Sequence, residues 1–485
     1  MKKSNSSNNY SRFIIVDRLR ESTRKRTRQI DQFYSDRSRI LYSSSFRRLQ
    51  QKAQVFSLES NASVRTRLTH SLEVSDLGRT LANNIAYRLK NADKLTENSI
   101  LSLVAIVENA CLLHDIGNPP FGHFCEAAIQ DWARNSIHEF TSVDLSDEVD
   151  DKTGLIKEDS LLNKLINDFK EFDGNPQGFR IVTKLYTDYD KYSLNLTYST
   201  LLCILKYPKT TGEGKGKGIL KKAGYFQTEE ELVKKIYKSA GLKLKHRYPF
   251  VYIMEAADDI AYCMSDIADG IEKGIITEKD FLSEFKKEWE NTFGEEEIPV
   301  KIPKDHELVG FNQDVSIPWS LEAMKEAENN FILESEKIFD GEAESLISDR
   351  MKMGRVLETM KSVSKRILYT SFEAESIELT GYAVIIGILN KYKSVLQMKY
   401  NDFVKLIDNE NIKGLDLEKR LIHFIGKRYI KAYKYELEDM NKTDEKFFVK
   451  EWWLRAHLII DHISGMTDEY ALETYQMLEG IRLMR

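Results

Sequence analysis

Two short runs place histidine where a helical core would take leucine: Arg65-Thr66-Arg67-Leu68-Thr69-His70 and His114-Asp115-Ile116-Gly117-Asn118. On helical spacing, His70 heads an apolar stripe of Val74, Leu77, Leu81 and Ile85. His114 ends another, after Ile100, Leu103, Val104, Val107 and Cys111. A buried imidazole without a partner is costly. Two inward histidines joined to Asp115 are most cheaply satisfied together, by a metal ion. A lone histidine on such a stripe would as readily be a core side chain bonded to backbone; the pair with its His-Asp doublet is not. A third stretch adds a fourth ligand. Val251, Met254, Asp258, Tyr262 and Ser265 share one helical face, so Asp258 interrupts an apolar stripe as the histidines do. An unpaired carboxylate there would be costly or protonated. Asp258, Tyr262 and Asp266 stand at i, i+4 and i+8, with the two carboxylates roughly 12 Å apart along the axis. That reach suits a metal at one end and a sugar hydroxyl at the other.

These side chains need helices to carry them, and the pattern supplies them. Helices are expected over 17–55, 70–90 and 97–115; Gly117-Asn118-Pro119-Pro120 ends the last, and a new helix carrying His123 follows. All eight prolines lie at or before Pro318, leaving the last third free for long helices. No internal repeat or sustained period-2 alternation is present, so the fold class is all-α, with a small β-hairpin admitted between 305 and 320. Residues 1–15 read as a disordered N-terminus. The acidic stretch 138–160 and the glycine-lysine stretch 209–218 read as surface insertions; the latter lacks the GxxxxGK spacing of a phosphate loop. Residues 295–303 read as a connector.

At 485 residues, 42% hydrophobic and 30% charged, the chain supports a substantial core under a well-solvated surface. A net charge of −5 singles out no polyanionic partner, but residues 1–50 carry thirteen Lys/Arg against four acids. Such a segment could meet nucleic acid or nucleotide phosphates, or simply be a solvated face or the wall of an anion site. The four cysteines, Cys111, Cys125, Cys203 and Cys263, form no CxxC pair, which fits a reduced, cytoplasmic protein. The polar start offers no signal peptide, and the longest apolar runs, Leu201–Leu205 and Ala383–Leu389, are too short to span a bilayer.

The order His70 … His114-Asp115 … Asp258 resembles the HD superfamily of metal-dependent phosphohydrolases. The longer runs look like bacterial deoxyguanosine triphosphate triphosphohydrolases: Arg65–Val74, His114–His123, Gly174-Asn175-Pro176-Gln177-Gly178-Phe179-Arg180, Asn195–Tyr198 with Leu205–Pro208, Glu255–Tyr262 and Ile463–Asp468. A bare HD doublet is weak; six motifs in order are strong. The likeness covers roughly 35–270 and 450–475 and leaves 280–445 unmatched. It implies an HD core over 16–280 and a helical C-terminal region over 281–485, with 450–475 returning near the active site.

The resemblance also implies roles. His70, His114, Asp115 and Asp258 would hold one divalent cation, manganese, magnesium or iron. His123 would move a proton or hold the attacking water, with Glu126 orienting it. Arg67 would grip phosphate, with Asn175 and Lys206 as weaker candidates. Tyr262 would stand where a 2′-hydroxyl would sit, and Gln54 and Asp266 would bind the 3′-hydroxyl. The implied reaction is water attack at the α-phosphorus of dGTP, or of dNTPs more broadly, giving a deoxynucleoside and tripolyphosphate. A homo-oligomer, hexamer or tetramer, and a regulatory nucleotide or single-stranded DNA as partner, come with the family. Two rivals remain from residues alone. One is another HD phosphohydrolase, such as a 5′-nucleotidase, which the Tyr262/Asp266 ladder and Arg67 disfavour. The other is an idle nucleotide sensor or DNA-binding protein, which the intact ligand set disfavours.

Overall fold

The computed structural model describes residues 9–214, 216–304 and 306–482. Thr66 opens the helix α1 (Arg67–Asn91) with a reciprocal cap: its hydroxyl accepts from the Thr69 amide, and the Thr69 hydroxyl accepts from the Thr66 amide. α1 buries Val74, Leu81, Ile85 and Leu89 against α2 (Ile100–Leu113), which is apolar almost all round. Next come α3 (His123–Asn135), α4 (Gly174–Arg180) and the long α5 (Val251–Glu272), which lies across α1 and α2. Helices α6 (Ile317–Leu333) and α7 (Lys352–Ile367) cover the far side of α5, while α8 (Phe372–Lys391) packs on α3. The C-terminal pair α9 (Phe447–Ser464) and α10 (Asp468–Leu478) returns to the core.

One glycine lets the three ligand-bearing helices come together. Gly78 on α1 faces Cys111 and Val107 of α2 and Ala257 of α5; an added Cβ would overlap Cys111 Sγ and touch the other two at 3.5 Å. Alanine gains about 1 kcal/mol of helix propensity over glycine, but overpacking a buried crossing costs about 1–3 kcal/mol. We therefore expect Gly78→Ala to lower the urea midpoint despite the better helix former. Adding Cys111→Ala should recover part of the loss; a Gly78→Ala protein more stable than wild type would contradict the close crossing.

The long C-terminal helix is tied to the core by buried charge. Arg180 donates from Nε to Asp461 at 2.9 Å and from Nη2 to Glu436 at 2.8 Å, and pairs with Glu229 at 3.1 Å. Such a cluster contributes little net stability, but removing one member leaves a buried charge unpaired.

Two expectations need correction. No hairpin lies at 305–320: Asn312–Ser316 is a helical turn running into α6, and the described residues form only isolated bridges, no strands. Pro318 sits in the first turn of α6, where its missing N–H costs nothing, and Asp314 accepts the Val309 and Gly310 amides. Within the stretch 1–15, expected to be disordered, the described residues 9–15 are built into the fold. Tyr10–Phe13 is a helical turn whose Tyr10 and Phe13 rings are fully buried, packed on Phe339, and Tyr10 donates to Ser335 O at 2.5 Å; positions 1–8 lie outside the described residues. The 138–160 stretch, expected as a surface insertion, is exposed over 151–155 and 157–159 but anchored at its start. It buries Phe140 and Leu145, and Glu148 accepts from the Leu162 amide and from Lys446. In 209–218, Lys209, Thr210 and Thr211 are buried and Gly212–Gly214 exposed.

Candidate active site

The end of α2 makes the site. The helix stops at Leu113, so His114 stands as its C-cap residue, with Nδ1 2.7 Å from the Cys111 carbonyl. Donation to that carbonyl puts the proton on Nδ1 and leaves the Nε2 lone pair facing inward. The next turn is held from several directions. Asn118 donates to Asp115 Oδ1 and Arg67 to Asp115 Oδ2, each at 2.7 Å. Buried Lys52 donates to Asn118 O and Ser464 O, and burial with nearby Arg48 pushes its ammonium down to about 7. Asp468 accepts the Phe121 and Ala53 amides, so the chain around 464–468 clamps this loop.

Ligand atoms of His70, His114 and Asp115 all lie within 4.8 Å of one another. Asp258 joins them, its Oδ1 3.4 Å from His114 Nε2 and 3.6 Å from His70 Nε2. Both ring nitrogens of His70 and Nε2 of His114 are buried, with no hydrogen-bond partner among the described residues. Orphaned imidazole nitrogens facing two carboxylates are what a divalent cation would satisfy, so the donor set fits one. Burial alone would raise the Asp258 and Asp115 carboxyls. His114, with His70 and Lys206, holds Asp258 far below the usual carboxylate range; His114, Arg67 and His70 lower Asp115.

These groups open on a cavity of about 450 Å³. His123 stands on its wall at the first position of α3, its side chain 81% exposed, with Nδ1 2.7 Å from Glu126 Oε2. Glu126 is itself fixed, accepting the Gly174 amide at 2.7 Å. The hydrogen bond to Glu126 raises the His123 imidazole above its ordinary value. Lys206 comes within 3.5 Å of Asp258 Oδ2, and Glu255 and Asp258 raise its ammonium against the effect of burial. Asn175 lines the wall but spends its amide on Asp173, which also accepts from Lys222 at 2.6 Å. Gln54 lines the cavity with its buried Oε1 unpartnered among the described residues, and Tyr262 lines it too.

Asp266 is the exception among the residues selected for substrate contact. It is fully buried and does not line the cavity; Tyr369 covers it and donates to its Oδ2. The i+8 spacing gives its helix face correctly but not the loop that packs over it. Sequence reasoning also missed Lys222, Glu378 and Tyr369, all cavity residues. None lies in a motif or breaks an apolar stripe, so no local signal marks them. The basic N-terminal segment is partly consumed by structure: Arg18 pairs with buried Asp36, Arg20 with Asp190 and Arg37 with Glu108. Among the described residues no helix is long and apolar enough to cross a membrane.

Comparison with known proteins agrees with this geometry. The HD domain matches residues 67–195, which contain His70, His114 and Asp115. A deoxyguanosinetriphosphate triphosphohydrolase of Enterobacter sp. (strain 638) is 35% identical over 482 residues, covering 93% of this chain and 94% of its own. That of Klebsiella pneumoniae is 35% identical over 480 residues, and that of Salmonella typhimurium 36% over 493, with the same coverage. With such likeness running nearly end to end and the HD donor set assembled in three dimensions, the chain belongs to the deoxyguanosinetriphosphate triphosphohydrolase family, divalent-metal-binding hydrolases of the HD superfamily.

Proposed function

We propose that this protein hydrolyses dGTP at the α-phosphorus, breaking the bond to the sugar oxygen and releasing deoxyguanosine and tripolyphosphate. The observation that carries the reading is one cavity lined together by His114, Asp115 and Asp258, by the cations Arg67, Lys206 and Lys222, and by Tyr262 and Gln54. His70 completes the donor set from behind the wall. One divalent cation, manganese, magnesium or iron, held by these four residues would polarise the α-phosphate and lower the pKa of a bound water.

The chain's own residues do the rest. Arg67, Lys206 and Lys222 spread the charge of the triphosphate chain as water attacks its α-phosphorus and the sugar oxygen leaves. His123, its Nδ1–H given to Glu126, presents Nε2 to take a proton from the attacking water. Tyr262 fills the space of a 2′-hydroxyl and favours deoxyribose. Gln54 offers a carbonyl to the 3′-hydroxyl. A tetrameric or hexameric assembly in the cytoplasm, and a regulatory nucleotide or single-stranded DNA as partner, belong to the same reading through the family resemblance.

The test is a panel of dNTPs and NTPs with manganese, scored for the phosphorus product. We expect tripolyphosphate from dGTP, with GTP at least about 10²-fold slower, the scale set by one badly placed hydroxyl. Orthophosphate, or cleavage confined to monophosphates, would replace this reading with a 5′-nucleotidase.

A further inference from the structure

We propose that Arg247 is a positioning residue for Lys206: it holds the lysine's backbone and occupies the carboxylate beside its ammonium, so that the ammonium stays available to a phosphate chain. The proposal rests on the triphosphohydrolase reading above. Lys206 lines the cavity, whereas Arg247 and Glu255 stand buried behind its wall. Arg247 donates from Nε to the Lys206 carbonyl at 2.8 Å. Its two terminal nitrogens fork onto Glu255, Nη1 to Oε2 at 2.5 Å and Nη2 to Oε1 at 3.1 Å. The Lys206 Nζ lies 3.7 Å from Glu255 Oε1 and 3.5 Å from Asp258 Oδ2. Both separations exceed the ordinary hydrogen-bond range, so the ammonium is drawn towards two carboxylates and held by neither.

A second segment fixes the guanidinium. Residues 340–344, in the stretch of chain without a recognised motif, fold across it. Arg247 donates from Nη1 to the Glu344 carbonyl at 2.9 Å and from its amide to the Gly341 carbonyl at 3.0 Å, and Tyr252 donates to the Ala343 carbonyl at 2.7 Å. Gly341 permits the approach: its φ is +74°, and a Cβ there would come within 2.4 Å of the Arg247 carbonyl oxygen. The fork sets direction as well as charge, which a lysine in its place would not do. With both carboxylate oxygens taken by Arg247, Glu255 competes weakly for Lys206. Without the fork, Glu255 would be a buried carboxylate in need of a cation, and among the described residues Lys206 is the other cation within 4 Å of it. The ammonium would then turn back behind the wall and leave the phosphates.

The experiment reads the grip on phosphate twice, as KM and kcat for dGTP and as the Kd of tripolyphosphate, measured by calorimetry on the manganese-loaded protein. We expect Arg247→Met to raise KM and that Kd together by about tenfold, the scale of one misplaced charged hydrogen bond, with kcat nearly unchanged. Adding Glu255→Gln removes the competing charge and should restore part of the affinity. In a Lys206→Met background, Arg247→Met should cost nothing more, because it acts through that ammonium. Arg247→Lys keeps the charge without the fork and should fall between wild type and Arg247→Met; it carries the same comparison if a circular-dichroism melt shows Arg247→Met unfolded. A loss confined to kcat, a full further loss in the Lys206→Met background, or no recovery with Glu255→Gln would overturn the proposal and leave Arg247 a structural ion pair. A wild type that binds tripolyphosphate but releases none from dGTP would instead overturn the parent reading, and the calorimetric comparison would still decide the role of Arg247.

Discussion

Alanine at His114 removes the bound divalent cation and lowers dGTP turnover by at least about 10³-fold while the protein stays folded. A catalytic cation supplies several kcal/mol of transition-state stabilisation, and each 1.36 kcal/mol is a factor of about ten in rate. His114 is the donor with the least substitute. Its Nε2 lies between Asp115 Oδ1 at 3.6 Å and Asp258 Oδ1 at 3.4 Å, and its tautomer is set by the Cys111 carbonyl. Without it, Asp115 and Asp258 face each other with one imidazole between them. The fold survives because His114 caps a helix rather than filling it: Leu113 and Ile116 on either side carry the buried contacts. Metal content by elemental analysis, a thermal melt and tripolyphosphate release check the three parts together. Chelation of the wild type should reproduce the rate loss, and added manganese should reverse it only there. Stoichiometric metal in the folded alanine variant would remove the four-donor assignment.

The proposed donors are legible because each breaks a rule. A histidine or aspartate on an apolar stripe costs free energy unless something satisfies it, and the 3.6-residue period says which side chains share the stripe. His70, His114 and Asp258 were therefore readable on three helices before any packing was known. What the period cannot say is which other segment lies over a given face. Asp266 has the right register on α5, but the turn after α7 brings Tyr369 across it from more than a hundred residues away. Lys222 is likewise placed by its bond to Asp173, a contact between loops with no periodic signature. The N-terminus failed for the converse reason: polar neighbours hid Tyr10 and Phe13, whose burial depends on a pocket built by Phe250, Phe331 and Phe339. The small hairpin admitted near 320 gives way to a helix whose first turn holds Pro318.

Alanine at His123 should lower kcat by about 10²–10⁴-fold, the usual worth of a positioned base, and erase the acid limb of the pH–rate profile. The sign follows from the Glu126 pair. Hydrogen bonding to the carboxylate, then its charge, favours the imidazolium and outweighs burial and the neighbouring Arg67 and Lys222. A base must be deprotonated, so wild-type turnover should rise with pH through a midpoint above the ordinary histidine value. In Glu126→Gln the stabilising charge is gone while a side-chain oxygen remains to accept the Gly174 amide. The midpoint should then move to lower pH, with a smaller loss of kcat than in His123→Ala. Opposite behaviour, wild-type turnover that falls with pH through that midpoint, would mean His123 is needed as the imidazolium and delivers a proton to the leaving sugar oxygen. Metal loss at low pH could mimic an acid limb, because His70 and His114 must be neutral to bind. Metal content measured across the same range separates the two: His123→Ala should keep its cation where wild type keeps it, and still show no limb. A limb that persists unchanged in His123→Ala under saturating metal would assign the proton to another group on the wall.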